Sequence, residues 1–188
     1  MSGLTVAAGT RIAAEAGAAV AAKGGNSVDA GIAAMIVSMC TDLGIMAPGG
    51  GAFVTVWPPD GEPVVVDGYV EMPGRGLPQA HLGGATHLVS FDYGGETHQR
   101  VGYGTIATGA FAGLALASQR FGRLPWARLI EPAIDWVEGG FPLTGGAAEY
   151  LLYTHEAIYT WHPESFRLLH HQDGSPLAEG EIVHIPHL

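Results

Sequence analysis

Chemistry in this sequence would have to come first from its nine histidines and from threonines that stand beside them. His170-His171 and His184-x-x-His187 crowd imidazoles together. Structural and catalytic zinc sites draw three or four ligands from recognisable Cys and His spacings. The chain has one cysteine, Cys40, and no His-Glu-x-x-His, so these residues read as surface histidines and no metal is expected. Three threonine–histidine pairs, Thr86-His87, Thr97-His98 and Thr154-His155, set a hydroxyl next to a base in sequence. Ala85-Thr86-His87-Leu88-Val89 reads as part of a hairpin, and no catalytic nucleophile is assigned to the chain. Cys40 lies in an apolar run and reads as a small core residue. Gly102-x-Gly104 with Gly109 departs from the Gly-x-Gly-x-x-Gly of dinucleotide loops, and no glycine cluster is followed by Lys-Ser or Lys-Thr. No Gly-x-Ser-x-Gly elbow occurs, and no cofactor is expected.

The elements that would position any site can be read from periodicity. Thr5 to Gly9 reads as a short strand. Thr10 to Lys23 is alanine-rich, with Ile12, Ala16 and Val20 on one stripe, and predicts a helix able to lie close to a neighbour. Gly24-Gly25 ends it. Asn26 has the chemistry of an N-cap and Asp29 stands three residues on, the arrangement of a capping box. Val28, Ile32, Met35, Ile36, Met39 and Leu43 predict the buried face of the second helix. Ala52 to Trp57, the turn Pro58-Pro59-Asp60-Gly61 and the run from Val64 to Val66 towards Tyr69 predict a β-hairpin. Pro73 to Gly84 reads as loop. Leu88 to Tyr93 and His98 to Val101 predict a second hairpin around Gly94-Gly95. Gly113 to Arg120, Trp126 to Glu138 and Gly145 to Tyr159 predict helices. Pro132 falls inside the second of these. Leu129, Ile130, Ala133, Ile134 and Val137 mark the apolar face of that helix. The tail from Gln172 is rich in turn residues.

Composition bounds the rest. The 188 residues, 47% of them hydrophobic, suffice for a core, and residues 1–188 read as a single domain of α/β class. Charged residues make up only 14%, against a usual value of about 25%, so the surface is sparsely charged or part of it is covered by another chain. A net charge of −10 with one lysine, Lys23, argues against binding nucleic acid or an anionic membrane. No apolar run reaches the length of about 20 residues that crosses a bilayer. Met1-Ser2-Gly3-Leu4-Thr5 has no positive segment leading into an apolar one, so the expected location is the cytoplasm. The 29 glycines are clustered rather than periodic, as in a layered fold with sharp turns. Gly49-Gly50-Gly51 precedes a strand and reads as backbone packed tightly under another element.

Four segments together resemble the γ-glutamyltranspeptidase family. Gly24-Gly25-Asn26-Ser27-Val28-Asp29-Ala30 is similar to its Gly-Gly-Asn-Ala-Val-Asp-Ala signature. Gly49-Gly50-Gly51-Ala52-Phe53 is similar to its Gly-Gly-Gly-Gly-Phe segment, and Asp67-Gly68-Tyr69-Val70-Glu71-Met72-Pro73 to its Asp-Gly-Arg-Glu-x-Ala-Pro. The stretch from Arg120 to Ile134, followed by Gly140-Phe141-Pro142, resembles its most recognisable helical region. The resemblance implies an N-terminal-nucleophile hydrolase fold, an αββα layered sandwich of two central sheets between helical layers. It places this chain at the N-terminal part of a large subunit. It implies a precursor that cuts itself and a small subunit that begins with threonine, giving a hetero-oligomer.

The same resemblance marks a departure. The family's arginine in Asp-Gly-Arg-Glu grips the α-carboxylate of a γ-glutamyl group, and here Tyr69 or Val70 stands at that place. Arg75, a few residues on, carries the nearest guanidinium, and Glu71 is placed to orient a neighbour. Tyr69, Glu71 and Arg75 are therefore the candidate substrate-binding residues. Two functions compete: a γ-glutamyltranspeptidase-like amidohydrolase or acyltransferase subunit acting on small-molecule amides, and a truncated homologue that serves as a structural or binding module.

Overall fold

The computed structural model describes residues 3–71, 73–81, 86–102, 108–186 and 188, with backbone alone at Thr86, Arg100 and Gly102. Met72, Gly83-Gly84, Ala85, Gly104 and His187 of the motifs above lie outside the described residues. Helix α1 (Arg11–Ala22) opens on Thr10, whose hydroxyl accepts from the Ala13 N–H. Helix α2 (Ser27–Thr41) opens on the expected capping box: the Asn26 side chain accepts from the N–H groups of Val28 and Asp29, and Asp29 accepts from the Asn26 N–H. The small-residue stripe acts as expected. Ile12, Ala13, Ala16 and Val20 are buried against α2, and a Cβ on Gly17 would stand 2.7 Å from the Ala30 carbonyl oxygen.

The hairpin of β1 (Ala52–Val56) and β2 (Val64–Gly68) pairs Phe53 with Asp67 and Thr55 with Val65. Its inner face, with Ala52, Val54 and Val66, packs on the core. Helix α3 (Ala110–Phe121) lies against both strands. Helix α4 (Trp126–Gly139) lies against α2 and buries Leu129 and Ala133. Pro132 sits inside α4, where it has no N–H for the Arg128 carbonyl. A second hairpin, β3 (Thr86–Asp92) with β4 (Glu96–Gly102), turns at Gly94 and Gly95, both at positive φ. Short β5 (Phe141–Pro142) pairs antiparallel with β6 (Ile182–Val183). Between them lie α5 (Gly145–Thr154), a π-helical turn over His155–Tyr159, and α6 (Pro163–Leu169). The mixed helix and strand content agrees with the α/β class. The described residues supply a helical layer with β1–β2 laid on it, and the outer face of that hairpin is bare.

Several expectations change. Residues 5–9 form no strand, since no neighbouring strand pairs with them. Ile134 was expected on the buried face of α4 but is 48% exposed. Leu43 falls beyond the end of α2. The Gly145 to Tyr159 helix changes from α to π at His155. The turn-rich tail does pair, through β6, and α6 follows a Pro at its first position that periodicity did not reveal. Cys40 is buried as expected, and burial pushes its thiol pKa up.

One buried carboxylate joins these parts. Asp29 is fully buried and accepts the N–H of Asn26 at 2.9 Å, of Arg123 at 3.0 Å and of Leu124 at 3.3 Å. The Asn26 amide donates to the Phe121 carbonyl at 2.7 Å. The start of α2 is thereby tied to the bend between α3 and α4. A Cβ on Gly122 would stand 2.7 Å from the Asp29 carboxylate and 2.6 Å from the Ser118 carbonyl, so the bend needs glycine there.

Replacing Asp29 with alanine strands three N–H donors, and the expected loss is about 3 kcal/mol or more of unfolding free energy. Asp29→Asn keeps one acceptor oxygen and should lose less; urea denaturation of both variants measures the difference. A second expectation concerns alkali. Burial raises the Tyr159 phenol from 10.0 to about 12. The folded state then holds that proton more tightly than the unfolded state. Its contribution, about 2 kcal/mol, is complete below pH 10 and is lost as pH rises towards 12. Denaturation midpoints from pH 9 to 12 should fall less steeply for Tyr159→Phe.

Candidate functional site

The end of β2 and the start of α3 meet backbone to backbone. A Cβ on Gly113 would be 2.8 Å from the Gly68 Cα, and one on Gly109 would be 2.7 Å from the Gly68 carbonyl oxygen. The Gly50 carbonyl accepts from the Thr108 hydroxyl at 2.8 Å and from the Ala110 N–H at 3.3 Å. Gly51 lets the chain pass Tyr69 and Val70, whose atoms stand 2.9 Å from where its Cβ would be. Gly51 is thus tightly packed, as the triplet's position before a strand implied, whereas a Cβ on Gly50 would meet only the Ala47 carbonyl of its own turn at 3.1 Å. Only residues without side chains allow α3 this close to β2.

This contact sets the place of the three candidate residues. Tyr69 continues β2 on its outer face, 58% exposed, and its ring stacks on Phe53 at 5.4 Å between centroids. Its N–H donates to the Asp67 carboxylate at 2.9 Å, which fixes the turn out of the strand. Arg75 lies between Gly74 (φ 96°) and Gly76 (φ 83°), in a turn closed by the Leu77 N–H on the Gly74 carbonyl. Positive φ on both sides holds the loop in a shape that other residues would strain. The Arg75 guanidinium donates to the Glu71 carboxylate at 2.5 Å, and both groups are exposed. Tyr69 and Glu71 line a cavity of about 380 Å³ with Asp67, Gly109 and Leu116. Arg75 does not line it and is joined to it through Glu71. All three candidates therefore cluster at one end of the hairpin.

The residues set aside as nucleophiles are accounted for in part. The Thr154 side chain is buried and its hydroxyl donates to the Tyr150 carbonyl at 2.6 Å, which is ordinary helix back-bonding. Thr97 donates to the Gly95 carbonyl inside its hairpin turn. The histidines need one correction: His170 is not a surface residue. It is buried, stacked on Phe166, and its Nε2 meets His155 Nδ1 at 3.2 Å. The π-turn brings His155 there, which sequence neighbours did not foretell. Among the described residues no three His, Cys, Asp or Glu side chains converge as metal ligands. Among them, too, no helix is long and apolar enough to cross a membrane.

Asp29 has the sequence signature of a helix cap alone, and its bonds to Arg123 and Leu124 are not foretold by that signature. Their only signal was that two family-like segments, 24–30 and 120–134, each contained half of the contact.

The fold has solved counterparts. γ-Glutamyltranspeptidase from Helicobacter pylori superposes with a TM-score of 0.75 at 23% identity, over 98% of this chain and 52% of that one. At that identity the likeness shows the fold, which this chain shares with γ-glutamyltranspeptidase. A family model described as gamma-glutamyltranspeptidase matches residues 13–188, and the chain belongs to that family. The glutathione hydrolase proenzyme of Pseudomonas aeruginosa is 32% identical over 154 residues, which is 80% of this chain and 26% of that protein. That of Bacillus subtilis is 29% identical over 177 residues, 92% of this chain and 28% of that protein. The chain thus spans about a quarter of the length of these curated relatives.

The glycine contact is open to a direct test. Gly109→Ala would press a methyl group onto the Gly68 and Tyr69 carbonyl oxygens, which nothing nearby can yield to. The expected cost is about 3 kcal/mol, from overpacking against rigid backbone. Tyr69 should move with the strand, seen as a change in its fluorescence or its NMR shifts.

Proposed function

We propose that this chain is the N-terminal part of the large subunit of a γ-glutamyltranspeptidase-like amidohydrolase or acyltransferase. The observation that carries the reading is the bare outer face of β1–β2, where Phe53, Trp57, Val65 and Tyr69 are each more than half exposed beside Glu71 and Arg75. An apolar sheet face of this kind calls for a cover. The family membership and the short span of the relatives support a cover contributed by the small subunit, which begins with threonine.

In this reading the threonine hydroxyl attacks the carbonyl carbon of the amide. Its own α-amine takes the hydroxyl proton and passes it to the departing amine. An acyl-enzyme remains. Water or an amine acceptor then attacks the ester, and the threonine hydroxyl is restored. Oriented N–H donors stabilise the oxyanion of each tetrahedral intermediate. The residues of this chain hold the substrate. The Arg75 guanidinium binds a carboxylate of the acyl donor, Glu71 fixes the guanidinium, and the Tyr69 ring walls the cavity. An arginine already bonded to one carboxylate still has free N–H donors for a second.

Denaturing mass analysis of the protein expressed from its whole gene, with N-terminal sequencing of every chain, tests the reading. Two chains are expected, the second beginning with threonine. A single uncut chain without amidase activity would establish the non-catalytic alternative. In the processed enzyme, Arg75→Ala should raise KM about tenfold or more for donors with a free carboxylate, with little change for their methyl esters.

A further inference from the structure

A second cavity shares no lining residue with the one beside Tyr69 and Glu71. It opens under the loop between α2 and β1, has a volume of about 500 Å³, and is walled by Met35, Met39, Ile45, Met46 and Tyr159. Three of the chain's five methionines meet here. Met39 forms the floor at 3% exposure, while Met46 and Ile45 stand at the rim, 38% and 53% exposed. Two local features shape the space. The π-helical turn adds a residue beyond α5 and brings Tyr159 to the cavity wall. Such turns recur where a helix is adapted to a ligand. Gly44, at φ 77°, carries the loop past the Tyr150 ring, where a Cβ would be 2.7 Å from Cε1.

The cavity has a single side-chain polar group. The Tyr159 hydroxyl has no hydrogen-bond partner among the described residues and stands beside Gly44 at the cavity wall. A phenol is protonated at neutral pH, so this hydroxyl can donate to an acceptor that enters the cavity. Methionine walls are flexible and polarisable, and they adapt to flat aromatic surfaces. No charged side chain lines the cavity.

We propose that this cavity is a binding site for a small neutral molecule with an aromatic body and one carbonyl acceptor, which the Tyr159 hydroxyl engages while Met35, Met39 and Met46 close around the ring. An apolar concavity of this volume with one oriented polar group has the make-up of a small-molecule site. The occupant is not a charged substrate of the Arg75 site, since a carboxylate would be desolvated here without a partner.

The test uses the full-length protein with methionine methyl groups labelled with ¹³C, titrated with phenylacetamide and followed by NMR. The Met35, Met39 and Met46 methyl signals are expected to move together and to saturate. Acetamide, which lacks the ring, should move none of them at the same concentrations. Tyr159→Phe should weaken binding about five- to tenfold with the methyl spectrum otherwise retained. Ala47→Trp, at the cavity wall, should abolish the shifts. Three outcomes would overturn the proposal: no saturable shift, as when another part of the protein fills the cavity; a shift of Met46 alone, which is contact at the rim; or equal affinity in wild type and Tyr159→Phe.

Discussion

The Asp29 carboxylate is the joint on which the arrangement of this chain depends. It lies fully buried at the first turn of α2 and accepts N–H bonds from Asn26, Arg123 and Leu124. A buried carboxylate is costly unless it is well satisfied, and here backbone donors and the N-terminus of α2 satisfy it. The same bonds fix the bend between α3 and α4 against α2. Since α3 supports β2, the carboxylate sets the position of the candidate site at one remove. Around it, Lys23 pairs with Glu131 and braces the end of α1 on α4, while Arg128 pairs with the same carboxylate from within α4. Lys23 and Arg128 also hold the Glu131 carboxyl below its usual range. These outer pairs are exposed and contribute little by comparison.

Glycine does a second job that no charged group does. Gly68, Gly109 and Gly113 let α3 touch the backbone of β2, and Gly51 lets the chain pass Tyr69. Close approach shortens the distance from the helix start to the strand end and leaves a small cavity at their meeting. The substrate-binding candidates are displayed there on the outer face, with the Glu71–Arg75 pair in the turn that follows. The other end of the chain is held differently. The β3–β4 hairpin leans on α5 through edge contacts of Tyr93 with Tyr150 and Tyr153. Thr144 both caps α5 and donates to Asp42 just past α2, linking that region to the central helices.

The proposed division of labour follows from this geometry. A chain with only 14% charged residues keeps a bare apolar sheet face beside an ion pair. A covering subunit would bury the first and enclose the second. Enclosure lowers the local dielectric, and the guanidinium would then discriminate among donors far more strongly than it does in water. The methionine-walled cavity is lined in part by Gly50 and Gly51 and has no charged side chain to contribute.

Much of the local structure is legible along the chain. Alanine stripes, the Asn26–Asp29 box, the Pro-Asp-Gly turn and the glycine pairs specify their helices and hairpins through interactions a few residues apart, and the family-like segments named the fold. Residues 5–9 show the limit of such reading, because a strand exists only if a partner strand lies beside it. The π-turn at His155, the burial of His170 and the exposure of Ile134 were likewise hidden, since each depends on what packs there. The tertiary structure alone decided that the Asp29 carboxylate, read as a cap, also binds N–H groups 94 and 95 residues away. It also decided that Arg75 meets Glu71 at the cavity edge. Local rules act along the chain, whereas a site is made of groups that only the folded backbone brings within hydrogen-bond reach.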